Sequence, residues 1–128
     1  MRTMLVRRST SGYAETVKRL TEAIARRGLT VFARFDHAAA AKEAGLELGP
    51  EEVVVFGNPR AGTPLMESDP RIGIELPLRM LVWEEGEEAL VGYNDLRELA
   101  GRYDVELHHA TLETMSVLLT ALAADAAG

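Results

Sequence analysis

The chain lacks cysteine and glutamine altogether, and it has no uninterrupted apolar run long enough to cross a membrane. The missing cysteine excludes disulfides, thiol nucleophiles and thiolate metal ligands. Aromatic residues make up only 5% of the chain, with a single tryptophan. The start of the chain has too short an apolar segment for a signal peptide. These absences predict a cytoplasmic protein that is not embedded in a membrane.

Basic residues are also in the minority, with 14 Lys and Arg against 20 Asp and Glu, for a net charge of −6. General affinity for nucleic acid needs clustered basic side chains that displace counterions, so we expect no binding to duplex DNA. A hydrophobic content of 47% is ordinary for a globular protein. The length of 128 residues predicts one domain that covers residues 1–128.

Hydrophobic periodicity predicts an α+β fold. Apolar residues alternate in five short segments, and in two longer segments they recur at helical spacing. This order favours a mixed, largely antiparallel sheet with the helices packed on one face. The predicted strands cover residues 2–8, 29–35, 51–57, 78–83 and 89–93, and the main helices cover residues 12–27, 38–44 and 106–124.

Local signals set the expected ends of the shorter helices. Asp36 is placed to cap the helix over residues 38–44. Thr63 is expected to cap a helical turn, with Pro64 at its first position. Gly57 and Gly62 are expected to adopt backbone angles that other residues avoid, or to lie where the chain packs too closely for a side chain.

The most distinctive stretch runs from Phe56 to Met66 and reads FGNPRAGTPLM, followed by LPLR at 76–79 and VWE at 82–84. With Gly12-Tyr13 and the DHAAAA segment at 36–41, these motifs resemble the domain-of-unknown-function family numbered 302. The resemblance covers most of the chain. It implies a small α+β domain with the curved-sheet fold shared with the TATA-binding protein, and it implies no activity. A shared fold does not imply that protein's DNA binding.

The same loop invites comparison with a phosphate-binding loop, because its two glycines have the P-loop spacing. Thr63 occupies the position where that motif needs lysine, and two prolines remove backbone donors. This excludes nucleoside triphosphate hydrolysis. Two interpretations remain: an anion site at a helix start near Thr63, assisted by Arg60 or Arg79, or a loop with a purely structural role.

Histidines provide the other chemically active groups. His37 could act as a general base paired with Asp36, while the simpler interpretation makes Asp36 a cap and His37 a solvated residue. His108 and His109 point about 100° apart on a helix and match no metal-binding signature. We therefore predict neither a metal site nor a cofactor.

Together these residues predict a small pocket, and we expect the strand ends that carry them to lie close together. The favoured function is a binding or sensing module for a small ligand, with a small anionic molecule as one candidate. Two alternatives stay open: an enzyme that uses Asp36 and His37 on an anionic substrate, and a structural oligomer without a ligand. A homodimer is expected because the edges of a short sheet need cover. The candidate ligand-binding residues are Asp36, His37, Asn58, Arg60, Thr63 and Arg79.

Overall fold

The computed structural model describes residues 4–128 and contains a five-stranded sheet with strand order β1-β5-β4-β3-β2. Every neighbouring pair of strands is antiparallel, so the α+β class is confirmed and the parallel component of the predicted mixed sheet is absent from the described residues. The strands are β1 (Met4–Arg8), β2 (Thr30–Asp36), β3 (Glu51–Gly57), β4 (Leu78–Glu85) and β5 (Glu88–Asn94).

Four α-helices and three 3-10 helices connect and cover these strands. The predicted long helices are confirmed, and the predicted first strand is confirmed from Met4 onward, since Arg2 and Thr3 lie outside the described residues. The α-helices are α1 (Tyr13–Arg26), α2 (His37–Glu43), α3 (Pro59–Ser68) and α4 (His109–Ala127), and the 3-10 helices are Pro70–Glu75, Leu96–Gly101 and Glu106–His108.

The core lies between one face of the sheet and the helices α1 and α4, which also pack on each other. In α1, Val17, Leu20 and Ile24 recur at helical spacing and are buried. They meet alternate residues of the central strands, such as Val54 and Met80, both fully buried.

Helix α4 is apolar on most of its surface. The segment Glu106–Ala127 is long and apolar enough to cross a membrane by length and composition alone. Leu112, Leu119 and Leu122 of this segment are nevertheless buried against the rest of the fold. A core helix of a globular fold has the same composition, so we interpret α4 as a core helix.

Helix α3 corrects the predicted start of the helix at Thr63. The helix begins five residues earlier, with Asn58 as the cap and Pro59 at the first position. The Asn58 side-chain oxygen accepts a hydrogen bond from the Arg60 amide at 2.9 Å. Asparagine followed by proline is itself a strong helix start, and Thr63-Pro64 lies inside the helix that it begins.

The expectation for Gly57 and Gly62 was also wrong. Neither residue has a positive φ angle. A Cβ atom at Gly57 would lie 3.7 Å from Phe32 and Pro77, and one at Gly62 would lie 3.4 Å from Leu76 Cδ1. These are ordinary van der Waals distances, because Gly57 ends a regular strand and Gly62 lies within a helix.

We therefore expect Gly62→Ala to raise the free energy of unfolding by about 0.5–1 kcal/mol. Alanine loses less backbone entropy than glycine in a helix, and the side chain of Leu76 leaves room for the added methyl group. Urea denaturation of the two proteins measures the difference. A loss of stability would show that the Gly62 backbone is strained.

Candidate ligand-binding site

A cavity of about 310 Å³ opens at one end of the sheet. It lies between the end of β3, helix α3, the Pro70–Glu75 helix, the start of β4 and helix α4. Its walls are mostly apolar. The large apolar side chains around it belong to Leu29, Phe32, Met66, Leu76, Met115 and Leu118.

The cavity exists because two short helices are fixed in place by single buried residues. Leu65 anchors α3 and Ile72 anchors the Pro70–Glu75 helix, and both are fully buried in the main core. Met66 comes directly after Leu65, so it projects from a different side of α3 and borders the cavity. Met66 remains 37% exposed, which leaves its flexible side chain free to adapt to a ligand.

A buried carboxylate joins these two helices. Asp69 follows α3 directly and caps the Pro70–Glu75 helix by accepting a hydrogen bond from the Arg71 amide. Its carboxylate also accepts from the Arg71 guanidinium at 2.8 Å and from the Asp104 amide at 2.9 Å. These hydrogen bonds, first of all those from the Arg71 side chain, hold the pKa of Asp69 well below its usual value. The turn between the helices is therefore rigid at neutral pH.

Among the described residues, two polar side chains line the cavity, those of Asn58 and Thr63, and both were predicted site residues. The Asn58 oxygen is used in the cap of α3, which leaves its amide group as a donor. The Thr63 hydroxyl makes no hydrogen bond to any part of the chain between residues 4 and 128. The site thus offers one or two polar contacts on an apolar surface.

The amides at the start of α3 are already satisfied, so the predicted anion site loses its donors. Pro59 has no amide hydrogen, and the Arg60 amide bonds to the Asn58 side chain. The Ala61 and Gly62 amides both donate to the Asn58 carbonyl, at 3.0 and 3.3 Å. The helix start therefore presents no free cradle of amides to an anion.

The two predicted arginines do not line this cavity. Arg60 is exposed on α3, outside the lining. Arg79 is exposed on β4, and it borders a separate cleft of about 30 Å³, which has room for little more than a water molecule. That cleft also contains Glu75, Asp95 and Arg102, so charge is concentrated there and not in the cavity.

Asp36 and His37 lie at the opposite end of the sheet, so the expected common pocket was wrong. In the antiparallel pairing of β2 with β3, Asp36 is opposite Glu52, while Gly57 is opposite Thr30. Asp36 and Thr30 are six residues apart along β2, so the two ends of this strand lie about 20 Å from each other. The prediction failed because the carboxyl ends of antiparallel neighbours point in opposite directions.

The surroundings of Asp36 and His37 provide no catalytic geometry. The Asp36 carboxylate accepts a hydrogen bond from the Ala39 amide at 2.9 Å, which confirms the predicted cap. Both residues are exposed, and neither borders the cavity. An acid–base pair for catalysis needs a concave site in which polar groups converge. Between residues 4 and 128 there is likewise no cluster of three potential metal ligands.

The apolar lining was missed because its members come from distant parts of the sequence. Phe32 lies in β2, Leu76 lies between the Pro70–Glu75 helix and β4, and Leu118 lies in α4. No local sequence pattern indicates that these three residues line one cavity. One usable signal was the width of the apolar surface of α4. Leu118 is a partly buried residue beside the buried residues of α4, and such an additional apolar position can line a cavity.

Comparison with known proteins identifies relatives of this arrangement. A family model described as "Domain of unknown function DUF302" matches residues 5–122. The crystal structure of an uncharacterized conserved DUF302 protein from Bacillus stearothermophilus superposes with a TM-score of 0.87, over 100% of both chains, at 20% sequence identity. At that identity the likeness establishes the fold alone.

Two curated relatives are named for a channel. "Fluoride-specific ion channel FluC 1" of Brucella suis biovar 1 (strain 1330) is 45% identical over 95 residues, which is 73% of this chain and 37% of that protein. The protein of the same name from Brucella abortus biovar 1 (strain 9-941) matches equally well over 35% of its length. The chain thus spans about a third of the length of these curated relatives.

Proposed function

The chain belongs to the DUF302 family, and for this member we propose a binding module that takes a small, mostly apolar molecule into the cavity beside α3. The observation that carries the proposal is the cavity itself, with about 310 Å³ of space and an apolar lining. Ligand sites typically measure about 300–1,000 Å³ and are lined mainly by hydrophobic side chains with a few polar groups.

The size and lining of the cavity limit the ligand. The volume is roughly twice that of an engineered apolar cavity of about 150 Å³, which binds benzene. A one- or two-ring molecule or a short branched chain fits this space. One hydroxyl or carbonyl group on the ligand could bond to the Asn58 amide or the Thr63 hydroxyl, which fixes its orientation.

The absence of charge from the lining separates this proposal from the expected anionic ligand. Within residues 4–128, the lining of the cavity contains no charged residue. A carboxylate or a halide ion would lose its hydration there without gaining a cation. For this reason we do not extend the channel name of the Brucella relatives to this chain.

We expect neutral apolar probes to stabilise the protein. Indole and benzyl alcohol should raise the melting temperature, while benzoate at the same concentration and sodium fluoride should not. Ligand at about 100 times its dissociation constant adds about 2.7 kcal/mol to the free energy of unfolding. A thermal melt followed by circular dichroism measures the shift.

A variant that fills the cavity tests where the probe binds. Ala61 lines the cavity from α3, and Ala61→Phe should abolish the shift with indole. Ala25→Phe is the matched control, because Ala25 is exposed on α1 and does not border the cavity. Loss of the shift in both variants, or in neither, would contradict the proposal. So would a parent protein that neutral probes never stabilise.

A further inference from the structure

The sheet has a second face, opposite the one that packs on α1 and α4, and its middle row is almost entirely apolar. The strand pairing places five residues side by side across the sheet. We call the surface around this row the open face. In strand order from β1 to β2, the row consists of Val6, Gly92, Leu81, Val53 and Phe35.

This row is accessible to a partner. At its two ends, Val6 is 49% exposed and Phe35 is 55% exposed. Leu81 and Val53 between them are partly exposed, and Gly92 is buried. Contiguous apolar surface of this kind is uncommon on a monomer and marks an interaction site. The cross-strand neighbours in the row form one continuous strip.

An indole ring extends the strip beside its centre. A Cβ atom built on Gly92 would lie 2.9 Å from Trp83 Cζ3, so the ring lies over the glycine. Trp83 Nε1 donates a hydrogen bond to the Glu85 carboxylate at 3.2 Å. Large, rigid aromatic side chains held in this way are enriched at protein interfaces.

We propose that the open face packs against the open face of a second copy of this chain. Five strands about 4.8 Å apart and about 20 Å long present roughly 500 Å² of sheet surface. Two such faces would bury about 1,000 Å² in total, which reaches the lower limit for a specific interface. The sheets would pack face to face, as in a β-sandwich.

The charges along β4 favour a second copy and set its orientation. Arg79 lies two residues before Leu81, and Trp83 and Glu85 follow it, all four on the open face by strand alternation. Consider a two-fold axis that lies between the two faces and runs perpendicular to the strands at Leu81. It reverses the strand direction, so Arg79 of each copy lies opposite the end of β4 that carries Trp83 and Glu85 in the other copy. Arg79 makes none of the ion pairs found in residues 4–128, so its charge is available for this contact.

Sedimentation velocity from about 1 µM to about 1 mM tests the interface. We expect the parent protein to move from the 14.0 kDa chain towards twice that mass as its concentration rises. Leu81→Lys should remain monomeric, because the two-fold axis places the two new charges against each other. A lysine at this partly covered position can extend into solvent, so the variant should stay folded, as circular dichroism would show.

Charge reversal tests the orientation. Arg79→Glu should weaken self-association at least tenfold by facing Glu85 of the second copy, and adding Glu85→Arg should restore it. Arg60→Glu is the control with the same change in charge, since Arg60 is exposed on α3 away from the open face. A parent protein that stays monomeric, a Leu81→Lys variant that associates like the parent, or a double variant without recovery would overturn the proposal.

Discussion

Replacing Leu65 with alanine should lower the free energy of unfolding by about 3 kcal/mol, because the removed side chain leaves a cavity in the core as well as losing its burial. Leu65 is fully buried and belongs to the same core cluster as Phe56 and Ile72. It is also the main attachment of α3, whose other side borders the ligand cavity. Urea denaturation should show a midpoint about 2 M lower with an unchanged slope.

Leu107→Ala is the control for this change, because it removes the same atoms from a side chain that is 93% exposed. Its effect should stay within about 0.5 kcal/mol. If Leu65→Ala costs no more than this control, then α3 is not anchored as the structure describes. In that case the wall of the proposed ligand site would not be rigid.

Replacing Arg34 with methionine should cost about 2 kcal/mol, because it leaves the buried Glu52 carboxylate without its cation. Glu52 is 5% exposed, and the Arg34 guanidinium donates to both of its carboxylate oxygens, through Nε to Oε2 and through Nη2 to Oε1. The Glu52 charge also acts on Tyr13. Burial, and after it electrostatic repulsion from Glu52, raises the pKa of Tyr13 to about 12.

A double-mutant cycle separates the ion pair from side-chain packing. Removing both charges with Arg34→Met and Glu52→Leu should recover most of the stability that Arg34→Met loses, with a coupling energy of at least about 1 kcal/mol. Arg8→Met is the comparison, because Arg8 pairs with Glu88 at 2.9 Å while both side chains are more than half exposed. That change should cost less than about 0.5 kcal/mol, and an equal cost for the two arginines would contradict the account.

Most of the secondary structure was predictable because each element carries its own signals. Strand β3 matches its predicted bounds, and Asp36 accepts the capping hydrogen bond that its position suggested. In β4, Arg79, Leu81 and Trp83 alternate with the buried residues Leu78, Met80 and Val82. Each of these patterns involves residues that are only three or four positions apart, so it can be recognised in the sequence without the structure.

The predicted start of α3 shows the limit of that method. Two cap-and-proline pairs occur within six residues, Asn58-Pro59 and Thr63-Pro64, and either one can begin a helix. The first pair does so, and Pro64 lies inside the helix, where it removes the hydrogen bond that an amide at this position would donate to the Arg60 carbonyl. Choosing between the pairs depends on where Leu65 meets the core.

The candidate site was only partly predictable because it depends on strand pairing. Asn58 and Thr63 were identified correctly as residues of a pocket, since an unusual loop after a buried strand is a common location for one. Asp36 was placed with them only because β2 and β3 were not known to be antiparallel neighbours. Composition and periodicity carry no information about which strands pair, so the apolar walls of the site came only from the structure.

The most direct test of the proposed site is an NMR titration of methionine methyl groups with indole. Met66 and Met115 line the cavity, Met80 is fully buried in the central core, and Met4 belongs to β1. We expect the Met66 and Met115 signals to shift together and saturate, while the Met80 and Met4 signals stay in place. If no methyl signal moves at millimolar indole, or if Met4 and Met80 move as far as the other two, the cavity is not the ligand site.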